Sequence, residues 1–262
     1  MTLIADTYAE LSSSFTTTST SYVKALETSA LPSGGKYLII VNANANNATS
    51  GKSVDIRVTY DSSLRKGSES STVSLSTSHE ERYSFFTFFN TSSSTGTVAL
   101  EVKSNSGGKS TIKSATIVCI DLQNLTAGSD YIYEANSSTS FNTTSFSTKE
   151  SISIPATTKT TGKWLVLAQV SADYNATGID YHARLNYLNS DVGHERIERV
   201  YPGRGKGVNY IQKIIGVPYI GFPTHLGGTV EDGSSKLLSL QTKDSEDRPS
   251  NTYITGAAIF AL

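Results

Sequence analysis

The feature that most constrains this chain is a stretch that occurs twice. Gly35-Lys36-Tyr37-Leu38-Ile39-Ile40-Val41 is answered by Gly162-Lys163-Trp164-Leu165-Val166-Leu167-Ala168. About ten residues on, each is followed by Asn-Ala-Thr, at Asn47-Ala48-Thr49 and Asn175-Ala176-Thr177. Arg57-Val58-Thr59-Tyr60 is then answered by Arg184-Leu185-Asn186-Tyr187, at the offset of 127 that also relates Gly35 to Gly162. An internal repeat of this length dictates two copies of one folding unit. Later the offset grows to 140, where Leu100-Glu101-Val102-Lys103 meets Leu240-Gln241-Thr242-Lys243, and Asp121-Leu122 is aligned with Ala261-Leu262. The added length falls within Ser190 to Ser235.

The local pattern is that of strands. Tyr37 to Val41 is a continuous apolar run, too short for an ordinary helix and suited to a strand buried on both faces. Val54, Ile56 and Val58 alternate with Asp55, Arg57 and Thr59, which predicts one buried and one wet face. Val98, Leu100 and Val102 alternate likewise, and Ile112 to Leu122 closes the first copy. Tyr83 to Phe89 holds five aromatics and is expected to be a central core strand. Asp61 to Glu69 is expected to be a polar connection, and Glu195 to Val200 a single helical turn. Ser and Thr make up 72 of 262 residues, a composition suited to short strands with polar turns. The fold expected is all-β: two tandem jelly-roll-like β-sandwich domains from an internal duplication, residues 1–125 and 126–262, the second with a longer loop at about 190–235.

Charge and cysteine content exclude several classes. The net charge is −1 and the pI about 6.4, so no field over the whole molecule favours nucleic acid. One cysteine, Cys119, permits no internal disulfide and is expected to be buried. The N-terminus lacks a basic region followed by an apolar core, so no secretory leader is expected. No apolar run approaches the roughly 20 residues that span a bilayer, and no membrane partner is expected. Six Asn-X-Ser/Thr triplets, at Asn47, Asn90, Asn124, Asn136, Asn142 and Asn175, are read as a consequence of composition.

Candidate chemistry is sparse. Gly203-Arg204-Gly205-Lys206-Gly207 lacks the spacing and the strand-to-helix context of a phosphate loop. His182, Asp191, His194, Glu195 and His225 match no metal-ligand spacing. Asp173, Asp180, Glu195 and Glu198 offer no recognisable acid pair, and no nucleophile elbow occurs. Neither enzymatic activity nor a cofactor or metal is expected. Trp164 stands where Tyr37 does and is expected in the core, whereas Tyr174, Tyr181 and Tyr187 are expected at the surface. Long loops beyond what a fold needs are usually functional or disordered. The one in the second copy, with its aromatic, Pro and basic residues, is therefore the candidate interface: His194, Arg196, Arg199, Tyr201, Arg204, Lys206, Tyr210, Tyr219 and Phe222.

The start Met1-Thr2-Leu3-Ile4-Ala5-Asp6, the duplicated Gly-Lys-aromatic-Leu strand, the Ser/Thr-rich and cysteine-poor composition, and a strand running to the last residue together resemble virion proteins of tailed bacteriophages, especially those of marine phages. The resemblance extends over the whole chain and carries no site residues across. It implies a location in the virion, as a capsid decoration or cement protein or a tail or neck accessory. It further implies partners among the major capsid or tail subunits and a homo-oligomer, a trimer being common for such proteins. The alternative is a carbohydrate-binding receptor-recognition module, lectin-like or at a fibre tip, whose partner is a host-surface glycan.

Overall fold

The structure is a computed structural model. It describes residues 5–50, 52–73, 78, 80–91, 95–104, 108–122, 124–136, 139–141, 144–154, 166–174, 180–187, 190–191, 196–199, 210–215, 236–244 and 252–261. The chain divides into two compact units. One is Met1–Asn124 with Tyr210–Lys213; the other is Leu125–Asn209 with Ile214–Leu262. By strand pairing, Tyr210–Lys213 belong to a sheet of the second unit and are described there. Every regular element among the described residues is a β-strand.

The first unit holds β1 (Ala5–Glu10), β2 (Phe15–Thr17), β3 (Val23–Glu27), β4 (Lys36–Asn47), β5 (Ser53–Tyr60), β6 (Ser63–Val73), β7 (Glu81–Asn90), β8 (Val98–Ser104) and β9 (Ser110–Asp121). They pair antiparallel into two sheets, β1-β9-β4-β7 with β2 also on β9, and β3-β8-β5-β6. Counting β1 and β2 as one interrupted strand gives eight strands, in the orders first-eighth-third-sixth and second-seventh-fourth-fifth. That is a jelly roll.

The core lies between the sheets. Alternate residues of β4 (Tyr37, Ile39, Val41) pack with Val54, Ile56 and Val58 of β5, Leu100 and Val102 of β8, and Ile117 and Cys119 of β9. Each of these is at most 2% exposed, and burial of such a side chain contributes about 1.5–3 kcal/mol before conformational entropy. Cys119 is a fully buried thiol that forms no disulfide, as its apolar surroundings in the sequence suggested.

The second unit holds β10 (Ile132–Asn136), β11 (Thr139–Phe141), β12 (Ser147–Ile154), β13 (Val166–Tyr174), β14 (Asp180–Tyr187), β15 (Ser190–Asp191), β16 (Arg196–Arg199), β17 (Tyr210–Ile215), β18 (Lys236–Asp244) and β19 (Thr252–Ala261). Its sheets are β10-β19-β13-β17, with β11 also on β19, and β12-β18-β14-β15, with β16 also on β14. The order is that of the first unit, strand for strand, with β6 answered by the two pieces β15 and β16.

Three irregularities recur at matching positions. The β4–β9 ladder steps over Lys113 between Asn44 and Ala45, and the β13–β19 ladder steps over Thr255 between Ser171 and Ala172. The β3–β8 ladder leaves Ala25 unmatched opposite Leu100-Glu101, and β12–β18 leaves Lys149 unmatched opposite Leu240-Gln241. Tyr60 pairs with Ser63 across a two-residue turn, as Tyr187 pairs with Ser190. A bulge re-aims its strand and is a specified feature of a sheet. Two bulges and a turn at the same places therefore mark the same local design in both units.

Several expectations are corrected. Asp61 to Glu69 is not a loop: Asp61 and Ser62 take positive φ (47° and 64°) and close a tight hairpin into β6. A two-residue turn of this hand suits the twist of the strands it joins. The polarity of β6 had hidden it. Arg196–Arg199 is a strand paired with β14, so no helical turn forms there. The aromatic strand β7 closes the order of its sheet instead of lying at the centre, which β4 and β9 occupy. Ala261 pairs with Val166 as Cys119 pairs with Ile39, so Ala261 answers Cys119 and not Asp121. The slip is two residues, which leaves every side chain on its original face. Finally, the β14–β15 turn and β16 match the first unit without insertion. The added length thus lies between β16 and β18, in residues 200–235.

Candidate interaction surfaces

The structure locates three of the nine candidate interface residues. Arg196 and Arg199 begin and end β16, opposite Ala183 and Asp180, and Tyr210 begins β17. His194, Tyr201, Arg204, Lys206, Tyr219 and Phe222 lie outside the described residues, as do Trp164, His225 and the Gly203–Gly207 run.

In the first unit the repeated motifs turn out to be structural. A side chain on Gly35 would meet the Tyr37 ring at 2.3 Å, so the glycine two residues before the aromatic makes room for it. That ring packs against Phe89, centroids 6.0 Å apart, and Phe89 packs on Tyr60 at 4.1 Å. A side chain on Gly96 would meet the Tyr60 ring. Thr91, 1% exposed, ties the Gly35 turn down: its hydroxyl accepts from Gly35 N–H at 2.7 Å and donates to the Pro32 carbonyl at 2.6 Å.

Asn47, the first of the repeated Asn-Ala-Thr, is completely buried. Its Nδ2 donates to the Ser53 carbonyl (3.2 Å), Ser104 Oγ (3.3 Å) and Ser110 Oγ (3.1 Å), and its Oδ1 accepts from Thr49 N–H at 2.9 Å. One amide thus joins the ends of β4, β5, β8 and β9. Its side chain is inaccessible to a glycosyl donor. Sequence reasoning missed this role, and the recurring triplet was an imperfect signal, since Asn175 stands at an offset of 128 and Tyr174 holds the ladder position that answers Asn47.

The outer face of β3-β8-β5-β6 carries a cluster of paired charges. Asp55 stands opposite Lys103, and Arg57 opposite Glu101. Arg57 Nε donates to Glu101 at 2.7 Å, and Lys103 Nζ lies 3.5 Å from Asp55. Tyr22 covers both cations, its ring centre 4.0 Å from the Arg57 guanidinium carbon and 4.7 Å from Lys103 Nζ. Ring and cations attract through the ring quadrupole. Both carboxylate residues are 6% exposed, so their pairing is what makes their burial tolerable. At the sheet margin the Glu27 carboxyl is held below its ordinary range by hydrogen bonds from Lys24 and then Thr97.

The other sheet's outer face is apolar at one end. Leu38, Phe88 and Ile120 form one cross-strand row and Ile40, Phe86 and Val118 the next. Tyr8, opposite Val118, is 55% exposed at its margin.

No group of three or more potential metal ligands occurs among the described residues. What the described geometry builds is two jelly-roll units, the first with a paired-charge cluster on the outer face of one sheet. No family model matches the chain, and no curated protein sequence matches it. Solved structures similar to it include the CBM22-1–CBM22-2 tandem domain of Paenibacillus barcinonensis Xyn10C, at 10% identity over 98% of this chain and 92% of that one, with a TM-score of 0.29. Another is from infectious bursal disease virus, Gx strain, at 9% identity over 100% and 71%, with a TM-score of 0.30. A third is the major capsid protein P2 of bacteriophage PM2, at 13% identity over 97% of each chain, with a TM-score of 0.30. At such scores none of them bears on function.

Proposed function

We propose that this chain is a non-enzymatic structural protein of a bacteriophage particle, a capsid decoration protein or a tail or neck accessory, built by internal duplication of one jelly roll. The observation that carries this reading is the recurrence of one strand order with its two bulges and turn in both units. Jelly rolls serve capsid and lectin domains, and a fold repeated within a chain suits a protein that meets repeated neighbours. The second unit's added length, in residues 200–235, supplies the contact to capsid or tail subunits, and copies of the chain associate with one another.

Mass spectrometry and imaging of purified particles test it. High copy number at a defined position supports the reading, whereas a protein found only free in the lysate overturns it. Deleting Gly203–Gly207 should reduce incorporation into particles while the melting temperature of the free protein is unchanged. The carbohydrate-binding reading requires an exposed aromatic platform. In the first unit Tyr22 is engaged by two cations, and Tyr8 is the exposed large aromatic among the described residues. Millimolar or tighter binding on a glycan array would favour that alternative.

A further inference from the structure

The outer face of β1-β9-β4-β7 changes character between two neighbouring rows. In the last apolar row, exposure rises from one side of the sheet to the other. Phe86 on β7 is 3% exposed, Ile40 on β4 and Val118 on β9 are half-buried, and Tyr8 on β1 is 55% exposed. The face is thus covered within the chain toward β7 and opens toward β1. The next row is polar: Glu10 and Asn42 flank Thr116. Glu10 and Asn42 are exposed and Thr116 is half-buried. The Tyr8 hydroxyl donates to the Glu10 carboxylate, which holds the carboxylate beside the ring. Asn is depleted in strands, yet Asn42, Asn44 and Asn46 take alternate positions of the central strand β4. The answering positions of the second unit hold Gln169, Ser171 and Asp173, so the shared fold requires a polar residue there and not Asn.

We infer that Tyr8, Glu10, Thr116 and Asn42 form a shallow site for a short neutral oligosaccharide. A pyranose has apolar C–H faces and a rim of hydroxyls, the division this surface makes between its two rows. The Tyr8 ring, with Val118 beside it, takes the apolar face of one sugar unit, as an amphipathic aromatic at a wet margin can. Glu10 accepts from hydroxyls, Thr116 donates or accepts, and the Asn42 amide does both. Tyr8 and Thr116 are diagonal neighbours, about 7–8 Å apart. Asn42 lies two strands from β1, about 10 Å across the sheet, so a second sugar unit reaches it. The described ionic side chains on this polar half balance, Glu10 and Glu80 against Arg82 and Lys113, with Lys113 bonded to Glu80. No net field remains to draw an acidic sugar, a phosphate chain or a charged peptide. The inference rests on the carbohydrate-binding alternative and gives it a site; it does not depend on whether the chain is carried on a particle.

The test uses the full chain with neutral trisaccharides of glucose, galactose and mannose, read by saturation-transfer NMR. At least one should bind with a dissociation constant of about 1 mM. That affinity should be unchanged between about 50 and 200 mM salt, because no net charge takes part. Tyr8→Ala and Asn42→Ala should each weaken binding about fivefold or more, whereas Tyr8→Phe keeps the ring and should retain most of it. All three side-chain changes are at exposed positions, so the melting temperature should stay that of the wild type. Absence of binding to every trisaccharide by the wild-type chain overturns the inference. Binding that survives Tyr8→Ala combined with Asn42→Ala overturns this site while leaving the carbohydrate-binding alternative standing. Preference for a sialylated over a neutral trisaccharide overturns the neutral ligand.

Discussion

Single residues decide how the first unit is held. Thr87 is 2% exposed and its hydroxyl has no hydrogen-bond partner. Burial of an unmade hydrogen bond costs about 1–3 kcal/mol, so Thr87→Val, which keeps the shape, should raise stability by about 1 kcal/mol in thermal unfolding. Asn47→Ala removes the amide shared by four strand ends and leaves its partners unpaired. A loss of about 2–4 kcal/mol is expected in denaturant titration, from several hydrogen bonds at about 1 kcal/mol each. The Arg57–Glu101 pair is asymmetric. Glu101→Gln reproduces what the second unit already has opposite Arg184 and should cost about 1 kcal/mol. Arg57→Ala strands a buried carboxylate and should cost about 3 kcal/mol. Equal losses for the two would refute that account. Glu27 titrates with a lowered folded-state affinity for protons. Its contribution is therefore complete above the ordinary carboxylate pKa and is lost as pH falls through the lower folded value. Glu27→Gln should flatten that acid limb of the stability profile.

Among elements, ladder irregularities are the most informative. The Asp61-Ser62 turn has both residues at positive φ, a conformation that Asn-Gly accepts most readily. Replacing the pair by Asn-Gly should stabilise the first unit by about 0.5–1 kcal/mol, readable as a higher melting temperature. The hairpin and β6 were illegible from sequence because Ser63–Val73 is nearly all polar and offers no alternation to detect. The helical turn expected at Glu195–Val200 failed for a related reason: six residues are too few to show a period, and pairing of Arg196–Arg199 with β14 settled the matter. By contrast β4, β5, β8 and β9 were evident, since each carries an apolar run or a strict alternation that survives in the fold.

Across the whole molecule, the repeat organises everything else. Cys119 is the sole cysteine and is fully buried in the first unit. A thiol reagent should therefore leave the native protein unlabelled and react at the rate of opening of that unit. Labelling as fast as a free thiol would contradict the described core. The shared strand order of the two units also supplies an internal comparison. Where both units keep a residue, as with Arg57 and Arg184, the shared fold accounts for it; where they diverge, as at Glu101 and Gln241, the fold does not require that residue.

The sequence alone determined the class of fold, the two-fold repetition and the identity of the core strands. All three follow from local periodicity and from self-similarity, which a chain displays without folding. Tertiary structure decided the rest. It alone closes the jelly roll, because sheet order depends on pairings as distant in sequence as Ala5 with Ile120 and Ile132 with Ala261. It buries Asn47, whose role depends on four strand ends meeting. It slips the last strand by two residues, and it lines up Arg184 and Gln241 against Arg57 and Glu101. Ladder register is a property of two strands at once, and no single stretch of sequence contains it.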